Sequence, residues 1–372
     1  MPEILILTVV DDVHAYAVAE AVRRKGATPV IWITSDFPQR ATETILYECG
    51  QQTLRFRSPN SVIENPEPDA VWHRRPMFVL DRAQLHPADR DYAEESCRDL
   101  RDSVLSTLAP KAFWVNPRQA RTLASRKPLQ HAHALQAGLR MPDTLYSNDP
   151  DDIRAFIRGH GGRIVMKPLR AIPWQGDDNY FMPYTAMLTE EQLVDDDLLR
   201  AAPAIYQELV EKAYEVRVTV IGRRAFAAKI HSQQSQHGQL DWRKSYGDLQ
   251  MSAIDLPEAV ETACHALLDR MGLVFGCIDL IVTPAGDSIF LEVNQMGQFL
   301  FIEAYTGLPL LDAFSELLVQ GNIHYDWDES RVGVRYADVK DVATATAEDH
   351  VPIPNITRYE GTADAPDVRL DS

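Results

Sequence analysis

Three oxygen-bearing side chains occur at short spacing late in the sequence. Asp279 follows the apolar residues FGCI, and Glu292 and Asn294 lie two residues apart in the segment FLEVN. Because residues two apart in a β-strand project from the same face, these side chains converge if the two segments form neighbouring strands. Carboxylate and amide oxygens suit Mg²⁺, which leaves its other positions to water and phosphate. The spacing therefore predicts a magnesium site, and the alternative is that both acids only occupy strand ends.

Two lysines upstream of these acids are candidates for phosphate binding. Lys127 lies in a helical segment, and Lys167 ends the apolar string IVMKP beside a segment rich in Gly, Pro, Asp and Asn. An unpaired ammonium group is costly to bury among apolar residues. A bound phosphate would supply the counter-charge, since lysine is a compact point charge suited to phosphate oxygens. The alternative is that both lysines are solvated.

The elements that position these residues begin with an α/β unit. Hydrophobic spacing predicts a strand over Glu3–Val10, a helix over Asp12–Lys25 and a strand over Thr28–Thr34. This βαβ unit lacks a glycine-rich turn, so it predicts no dinucleotide cofactor. A long helix over Asp89–Leu108 and a short strand with a turn at Trp114–Pro117 complete the first domain, which we end at residue 120.

The remaining pattern predicts an α+β arrangement. Helices are predicted over Thr122–Ala137 and Thr189–Arg200, with a strand over Arg163–Pro168 and a mobile loop over Ala171–Tyr184 between them. Further strands are predicted around a helix at Pro257–Met271: Ala204–Val210, Glu215–Ile221, Ala225–Ile230, Phe275–Val282 and Ser288–Val293. Beyond residue 322 the only predicted strand is Val332–Val339. The end from about Gly361 is expected to be disordered.

Composition limits the function classes. The chain has 372 residues, 45% of them hydrophobic, which is enough for about two or three packed units. It has neither an apolar run of about 18 residues nor a signal-like start, so we expect a cytoplasmic protein that does not insert into a membrane. The net charge of −17 argues against general nucleic-acid binding. The four cysteines are scattered, without the spacing of a zinc site or a disulfide framework.

The string YQELVEKAYEVRVTVIG links the lysines to the acids. Gln207 and Glu208 end one strand, Leu209 and Val210 offer an apolar surface and backbone groups, and Glu215 follows seven residues after Glu208. This string resembles the hinge of the ATP-grasp superfamily, and the lysines, the hinge, the first acid and the ExN pair occur in the order of that superfamily. The resemblance implies that the first hinge acid and the adjoining backbone bind the adenine edge of ATP. The second acid would bind the ribose hydroxyls.

A narrower resemblance covers most of the chain. The strings TVVDDVHAYAVAEAVRRKG, VWHRRP, WVNPRQARTLASRKPLQ, MPDTLYSNDP, DWR and EVNQMGQFLFIEAYTGLP resemble peptide-maturing ATP-grasp ligases of the microviridin and graspetide type. The implied fold is a Rossmann-like α/β pre-ATP-grasp lobe followed by an α+β ATP-grasp unit. The implied enzyme uses ATP and Mg²⁺ to form ester or amide crosslinks within a ribosomally made precursor peptide, which it recognises through its leader. A homodimer is also implied.

The resemblance assigns roles to single residues and bounds to the domains. Nucleotide contacts would be Lys127, Lys167, Gln207, Glu208, Leu209, Val210 and Glu215, and the metal ligands would be Asp279, Glu292 and Asn294. The domains would be a pre-ATP-grasp domain (1–120), a central subdomain with a lid loop (121–204), a carboxyl-terminal subdomain with the metal site (205–325) and an acidic extension (326–372). Gln295 departs from the family, which commonly has proline after its metal-binding asparagine.

The chemistry of such a ligase needs a further cation. ATP would convert a carboxylate into an acyl phosphate, and attack by a nucleophile then generates an oxyanion that a fixed cation stabilises. Arg217, on the same strand face as Glu215, and Arg243, in the string DWR, are the candidates. The alternative for each is a structural salt bridge. Alternative functions are a different ATP-grasp amino-acid or peptide ligase and a non-catalytic nucleotide-binding module.

Three other segments have open interpretations. Arg74 and Arg75 either face acidic side chains of a substrate peptide or pair with acids of the chain itself. The acidic run within Thr189–Arg200 either contacts a leader peptide or is a solvated face. The loop Arg170–Tyr184 is expected to form the lid that excludes water from the acyl phosphate.

Overall fold

The structure is a computed structural model of the chain. It describes residues 1–349 except 60, 171–173, 176–179, 182–184, 194, 235–239, 241 and 243–248, and only the backbone at 174–175 and 180–181. Most of the expected lid loop, Arg243 and the end beyond residue 349 therefore lie outside the described residues. Among the helices of the described part, none combines the length and hydropathy needed to cross a bilayer.

The amino-terminal lobe contains a parallel sheet and an antiparallel meander. Its elements are β1 (Glu3–Thr8), α1 (Val13–Arg24), β2 (Thr28–Ile33), β3 (Thr42–Glu48), β4 (Gln51–Ser58), β5 (Ser61–Glu64), β6 (Ala70–His73), α2 (Arg90–Thr107) and β7 (Phe113–Val115). The parallel sheet has the order β2-β1-β6-β7, and the meander has the order β3-β4-β5. The predicted βαβ unit and the long helix before residue 108 are confirmed.

Alternation along β1 explains how the parallel sheet is covered on both faces. Ile4 and Ile6 belong to the core that contains α1, whereas Leu5 and Leu7 belong to the core that contains α2 and the meander. All four residues are 0–1% exposed. A strand buried on both faces reads as a continuous apolar run, which is why EILILT gives a clear strand signal.

The central part of the chain forms a second sheet. Its elements are α3 (Arg118–Ala124), α4 (Lys127–Gln136), β8 (Thr144–Ser147), α5 (Pro150–Gly159), β9 (Arg163–Pro168), β10 (Trp174–Gln175), β11 (Tyr180–Phe181), β12 (Ala186–Thr189), α6 (Asp196–Ala201) and β13 (Ala204–Glu208). The sheet is antiparallel with the order β12-β9-β13-β8. Because β13 pairs within this sheet, the pairing favours ending the central unit after Glu208.

The prediction of one helix over Thr122–Ala137 is wrong, because α3 ends before α4 begins at Lys127. Pro128 stands in the first turn of α4 and has no N–H to donate to the carbonyl of Ala124. The side chain of Gln130 donates to that carbonyl instead, at 2.6 Å. The helix therefore breaks where Pro128 cannot donate a backbone hydrogen bond, and the side chain of Gln130 satisfies the free carbonyl of Ala124.

The prediction of a helix over Thr189–Arg200 is also wrong. Thr189 ends β12, and only Asp196–Ala201 forms an α-helix. The carboxylate of Asp195 accepts hydrogen bonds from the N–H groups of Asp197 and Leu198. This N-cap starts α6 late in the segment.

The carboxyl-terminal part forms a five-stranded antiparallel sheet with flanking helices. Its elements are β14 (Tyr214–Ile221), β15 (Arg224–Ile230), β16 (Met251–Ile254), α7 (Glu258–Met271), β17 (Phe275–Val282), β18 (Ser288–Asn294), α8 (Leu300–Thr306), α9 (Leu310–Gln320) and α10 (Lys340–Glu348). The order is β16-β15-β14-β17-β18. Val216, Val218 and Val220 pack with α7 on one face, so the alternate residues of β14 point to the opposite face.

The predicted strand Val332–Val339 is wrong. The side chain of Asp312 accepts hydrogen bonds from the backbone N–H groups of Gly333 and Val334, both at 3.0 Å. Backbone donors held by a side chain are not available for a strand ladder. The chain then enters α10, which packs on α1, and Val339, Ala343 and Ala347 join the core that α1 shares with α8 and α9.

Candidate active site

A cavity of about 500 Å³ lies between the central sheet and the carboxyl-terminal sheet. Strands β9, β13, β14, β17 and β18, the link after β13 and the first turns of α4 contribute its walls. The residues that sequence reasoning selected and that line this cavity are Lys127, Lys167, Gln207, Glu208, Leu209, Val210, Glu215, Asp279 and Glu292. Residues of α4, β9, the hinge, β17 and β18 therefore meet at one site.

The two predicted metal-binding strands are neighbours. In the β17–β18 ladder Asp279 is opposite Glu292, and Cys277 is opposite Asn294. The ladder has a bulge between Asp279 and Leu280. Phe290 packs in the core with α7, and because of the bulge Glu292 points to the opposite face of the sheet although it is only two residues further along. The amide of Asn294 donates to Oδ2 of Asp279 at 3.3 Å. The three oxygen-bearing side chains thus share one face of the sheet.

Each of the two carboxylates has a cationic partner. Nη1 of Arg217 lies 2.9 Å from both carboxylate oxygens of Asp279, and Lys127 pairs with Glu292. The side chains of Arg217 and Asp279 are only 7% and 13% exposed. This geometry favours the structural ion pair for Arg217, which sequence reasoning had weighed against a catalytic role. Arg243, the second candidate, lies outside the described residues.

Polar side chains connect the central sheet to the hinge. Nζ of Lys167 donates to Oε1 of Gln207 at 2.6 Å, and the amide of Gln207 donates to the hydroxyl of Thr144 at 2.9 Å. Glu208 exchanges hydrogen bonds with the backbone of Asp143, which lies beside β8. These contacts fix where the first part of the hinge leaves the sheet.

Lys212 is a site residue that sequence reasoning missed. Its Nζ donates to Glu215 at 2.6 Å and to the carbonyl of Leu240 at 3.2 Å. Burial raises the pKa of Glu215, and the proximity of Asp279 raises it further, although Lys212 and a hydrogen bond from Ser232 act in the opposite direction. The signal was available in the hinge string, where a lysine precedes the second acid by three residues.

His131 is a second residue that sequence reasoning missed. It lies one turn after Lys127 on α4, and residues four apart on a helix share a face. Its ring bonds the carbonyl of Leu291 through Nε2 and the hydroxyl of Tyr146 through Nδ1, at 3.2 and 2.9 Å. Burial lowers the pKa of His131, and the nearby ammonium groups of Lys167 and Lys127 lower it further. The histidine is therefore a neutral link between β18 and β8.

The oxygen set on β17 and β18 fits magnesium better than a soft metal. Within the described parts of the chain, no three His, Cys, Asp or Glu side chains are grouped as a metal site. Two carboxylates and one amide oxygen instead form a hard, incomplete ligand set, which is the kind that Mg²⁺ uses when phosphate and water complete its shell. The assignment of Asp279, Glu292 and Asn294 as metal ligands stays a prediction.

The open interpretation of Arg74 and Arg75 is decided for Arg74. Its side chain is 1% exposed and its Nε lies 3.2 Å from Oδ2 of Asp12. A buried guanidinium paired with an acid of the same chain matches the internal-pairing alternative. It is not placed to meet acidic side chains of a peptide.

Comparisons with known proteins show which sequences and folds this chain is similar to. The sequence model of the MvdD pre-ATP grasp domain matches residues 3–122. The macrocyclase MdnC from Microcystis aeruginosa MRC, solved with the precursor peptide MdnA, is 29% identical over 86% of this chain and 99% of its own, with a TM-score of 0.76. This chain is an ATP-grasp ligase. Its fold is an ATP-grasp unit preceded by a pre-ATP-grasp domain.

Two further structures share the fold of this ATP-grasp ligase. A RiPP-associated ATP-grasp ligase from Chryseobacterium gregarium, in complex with ADP and a leader and core peptide, is 24% identical and has a TM-score of 0.78 over 86% of this chain and 97% of its own. The ligase PsnB, complexed with a phosphomimetic variant of a minimal precursor, Mg and ADP, is 23% identical, with a TM-score of 0.67 over 86% and 99%. A search of curated protein sequences found no match.

Proposed function

We propose that this ATP-grasp ligase phosphorylates Asp or Glu side chains of a ribosomally made precursor peptide and joins them to Ser, Thr or Lys side chains of the same peptide. The observation that carries the proposal is the cavity in which two lysines face an in-register pair of carboxylates. The likeness to a macrocyclase solved with its precursor peptide supports the substrate class.

The cavity walls suggest how ATP binds. Leu209 and Val210 offer apolar surface and backbone groups to the adenine, beside Glu208. Glu215 lies near the start of β14, close to Asp279 of β17, where its carboxylate would accept hydrogen bonds from the ribose hydroxyls. Lys167 lies on β9 and lines the same cavity as Asp279 and Glu292, so we infer that its ammonium binds a phosphate oxygen.

Asp279, Glu292 and Asn294 would hold magnesium. A divalent ion at this position neutralises charge on the phosphates during transfer. Lys127 now pairs with Glu292, so binding of the triphosphate gives its ammonium a more highly charged partner. We infer that Lys127 moves between the carboxylate and a phosphate oxygen.

The proposed reaction has two steps. A substrate carboxylate oxygen attacks the γ-phosphorus of ATP in line, the bond to the β-phosphate oxygen breaks, and ADP leaves. A hydroxyl or amine of the same peptide then attacks the acyl carbon, loses its proton and displaces inorganic phosphate. Arg217 serves this chemistry by holding Asp279 in place, and Arg243 is the candidate for stabilising the oxyanion.

The proposed partners and domains follow the resemblance. The leader of the precursor peptide docks on the central unit, with the acidic residues of α6 and its preceding turn as the candidate contact. The ligase acts as a homodimer in the cytoplasm. The proposed domain bounds are 1–120, 121–204, 205–325 and 326–372, and the pairing of β13 within the central sheet would move the end of the second unit to Glu208.

The test is incubation of the ligase with a precursor peptide, ATP and Mg²⁺, followed by mass spectrometry. Loss of the mass of one water per ring, with one ADP formed per ring, is the expected result. Gain of an amino-acid mass would instead favour an amino-acid ligase, and unchanged peptide with intact ATP would favour a non-catalytic nucleotide-binding module.

Matched variants connect the activity to the site. Glu292→Gln should abolish ring formation, because it removes a charged metal ligand that also pairs with Lys127. Glu258→Gln makes the same chemical change on the exposed surface of α7 and should leave ring formation unchanged. Equal activity of the two variants would contradict the proposed site.

A further inference from the structure

The turn that follows the metal-binding strand is held by side chains from elsewhere in the fold. This turn, Gln295–Gln298, comes directly after Asn294. The carbonyl of Gln295 accepts from Asn116 at 2.7 Å, and the carbonyl of Met296 accepts from Arg74 at 2.7 Å. Asn116 and Arg74 both follow strands of the parallel sheet, β7 and β6. The amino-terminal lobe therefore holds this turn through two hydrogen bonds, directly after the proposed metal ligand Asn294.

Asn116 connects both metal-binding strands through one amide. Its Nδ2 also donates to the carbonyl of Phe275 at 2.8 Å, and its Oδ1 accepts from the N–H groups of Val274 and Phe275 at 2.7 and 2.8 Å. Phe275 begins β17, and Gln295 follows the end of β18. With 1% exposure, Asn116 has little freedom to rearrange, so it fixes the two strand ends relative to each other.

Arg74 makes the second contact from a fully buried position. Its charge is balanced by Asp12, whose carboxylate also accepts from the hydroxyl of Thr8 at 2.7 Å. Arg121, on α3, also approaches this turn and lies 3.2 Å from the sulfur of Met296. The ion pair with Asp12 thus orients the guanidinium of Arg74 toward the carbonyl of Met296. The hydrogen bond from Arg74 to this carbonyl is charge-assisted.

The turn has no room to adjust on its opposite side. A Cβ at Gly297 would lie 2.6 Å from Cβ and Sγ of Cys277 and 3.0 Å from Nη2 of Arg217. Cys277 is opposite Asn294 in the ladder, and Arg217 holds Asp279. The turn is therefore closely packed between the amino-terminal lobe and the residues next to the metal site, so a displacement on either side is transmitted to Asn294.

We propose that Asn116 and Arg74 are positioning residues of the metal site, through which the pre-ATP-grasp lobe sets the orientation of Asn294 relative to Asp279. The inference rests on the proposed magnesium site. Partners that orient a metal ligand without touching the metal commonly change metal affinity by about 10- to 100-fold when they are replaced. Two lobes joined only for stability would not show this effect.

The test uses Mn²⁺ as the probe, with its dissociation constant for the ADP-loaded full chain measured by electron paramagnetic resonance. Asn116→Asp replaces the amide group that donates to the carbonyl of Gln295 by a carboxylate, which can only accept. Arg74→Lys keeps the positive charge that balances Asp12 but loses the planar guanidinium group that donates to Met296. ADP affinity in EDTA, measured by calorimetry, reports the nucleotide pocket without metal. Lys25→Met is the matched control, because Lys25, directly after α1, also connects the amino-terminal lobe to the carboxyl-terminal part, but through Asp312 and Glu316 of α9 and not through the turn.

Asn116→Asp and Arg74→Lys are expected to weaken Mn²⁺ binding about tenfold or more, with ADP affinity in EDTA within about twofold of wild type. Lys25→Met should change neither constant, whatever its melting temperature. Unchanged Mn²⁺ affinity in the folded variants, or an equal loss of ADP affinity in EDTA, overturns the proposal. If Asn116→Asp does not fold, Arg74→Lys decides.

The wild-type measurement separates this inference from the proposed function. A wild-type protein that binds no Mn²⁺ with ADP refutes the magnesium site itself. A wild type that binds Mn²⁺, beside variants that bind it equally well, refutes only the positioning role.

Discussion

Asp279 is expected to contribute to stability as well as to metal binding, because it balances the buried charge of Arg217. Asp279→Ala leaves the guanidinium of Arg217 without this carboxylate, in a setting where the arginine side chain is 7% exposed. Removing one partner of a buried ion pair typically costs about 3–5 kcal/mol. An independent estimate agrees, since two unit charges roughly 4 Å apart at an effective dielectric constant of about 20 attract by about 4 kcal/mol.

The assay is thermal unfolding of a double-mutant cycle with Asp279→Ala, Arg217→Met and both together. A loss of this size lowers the melting temperature of Asp279→Ala by roughly 6–10 °C, at about 2 °C per kcal/mol for a chain of this size. The double variant should recover most of that loss, because it no longer buries an unbalanced charge. Ring formation should be absent in Asp279→Ala and in the double variant, because both lack the proposed metal ligand.

Two results would refute this reasoning. A melting temperature of Asp279→Ala within about 2 °C of wild type would show that the pair is not buried as described. A coupling free energy below about 0.5 kcal/mol would show that the two side chains act independently.

Three further predictions concern other parts of the molecule. Lys167→Met should raise the KM for ATP by about 10-fold or more through loss of a phosphate contact, and a KM within twofold of wild type would remove Lys167 from that role. Gly297→Ala should weaken Mn²⁺ binding to the ADP-loaded protein by about 10-fold, since the new Cβ would lie 2.6 Å from Cys277; equal affinity would contradict the close packing of the turn. Burial, together with Arg121 and Arg118, holds the pKa of His73 well below its usual value, so the unfolded chain binds more protons below about pH 6.5 and stability falls as the pH falls. His73→Leu should reduce this slope by about 1.4 kcal/mol per pH unit between pH 6 and the folded-state pKa, as measured by denaturation at several pH values, and an unchanged slope would count against a neutral His73.

Strand periodicity explains why much of the site could be predicted from sequence. Glu292 and Asn294 share a face because they are two residues apart, and the segments that carry them and Asp279 are apolar enough to be recognised as strands. The same periodicity places Glu215 and Arg217 on one face of β14. These relations depend on the local backbone, so no knowledge of long-range contacts was needed.

The features that could not be predicted from the sequence depend on contacts between residues that are distant in the chain. The bulge after Asp279 depends on the pairing of two strands, and the pairing of Arg217 with Asp279 depends on their register. The strand predicted at Val332–Val339 failed because Asp312, distant in sequence, takes up the backbone donors of that segment. The break at Pro128 could have been foreseen, since proline within a helical pattern is itself a local signal.

The packing of α10 on α1 sets an order of events during protein synthesis. Residues 13–24 leave the ribosome before α10, the helix that packs on them, which ends at Glu348. Until that point the nascent chain exposes the apolar surface that Val339, Ala343 and Ala347 later bury. The packing of the first lobe is thus completed only after residue 347 has been made, and a chain that ends before residue 340 would leave part of this apolar surface exposed.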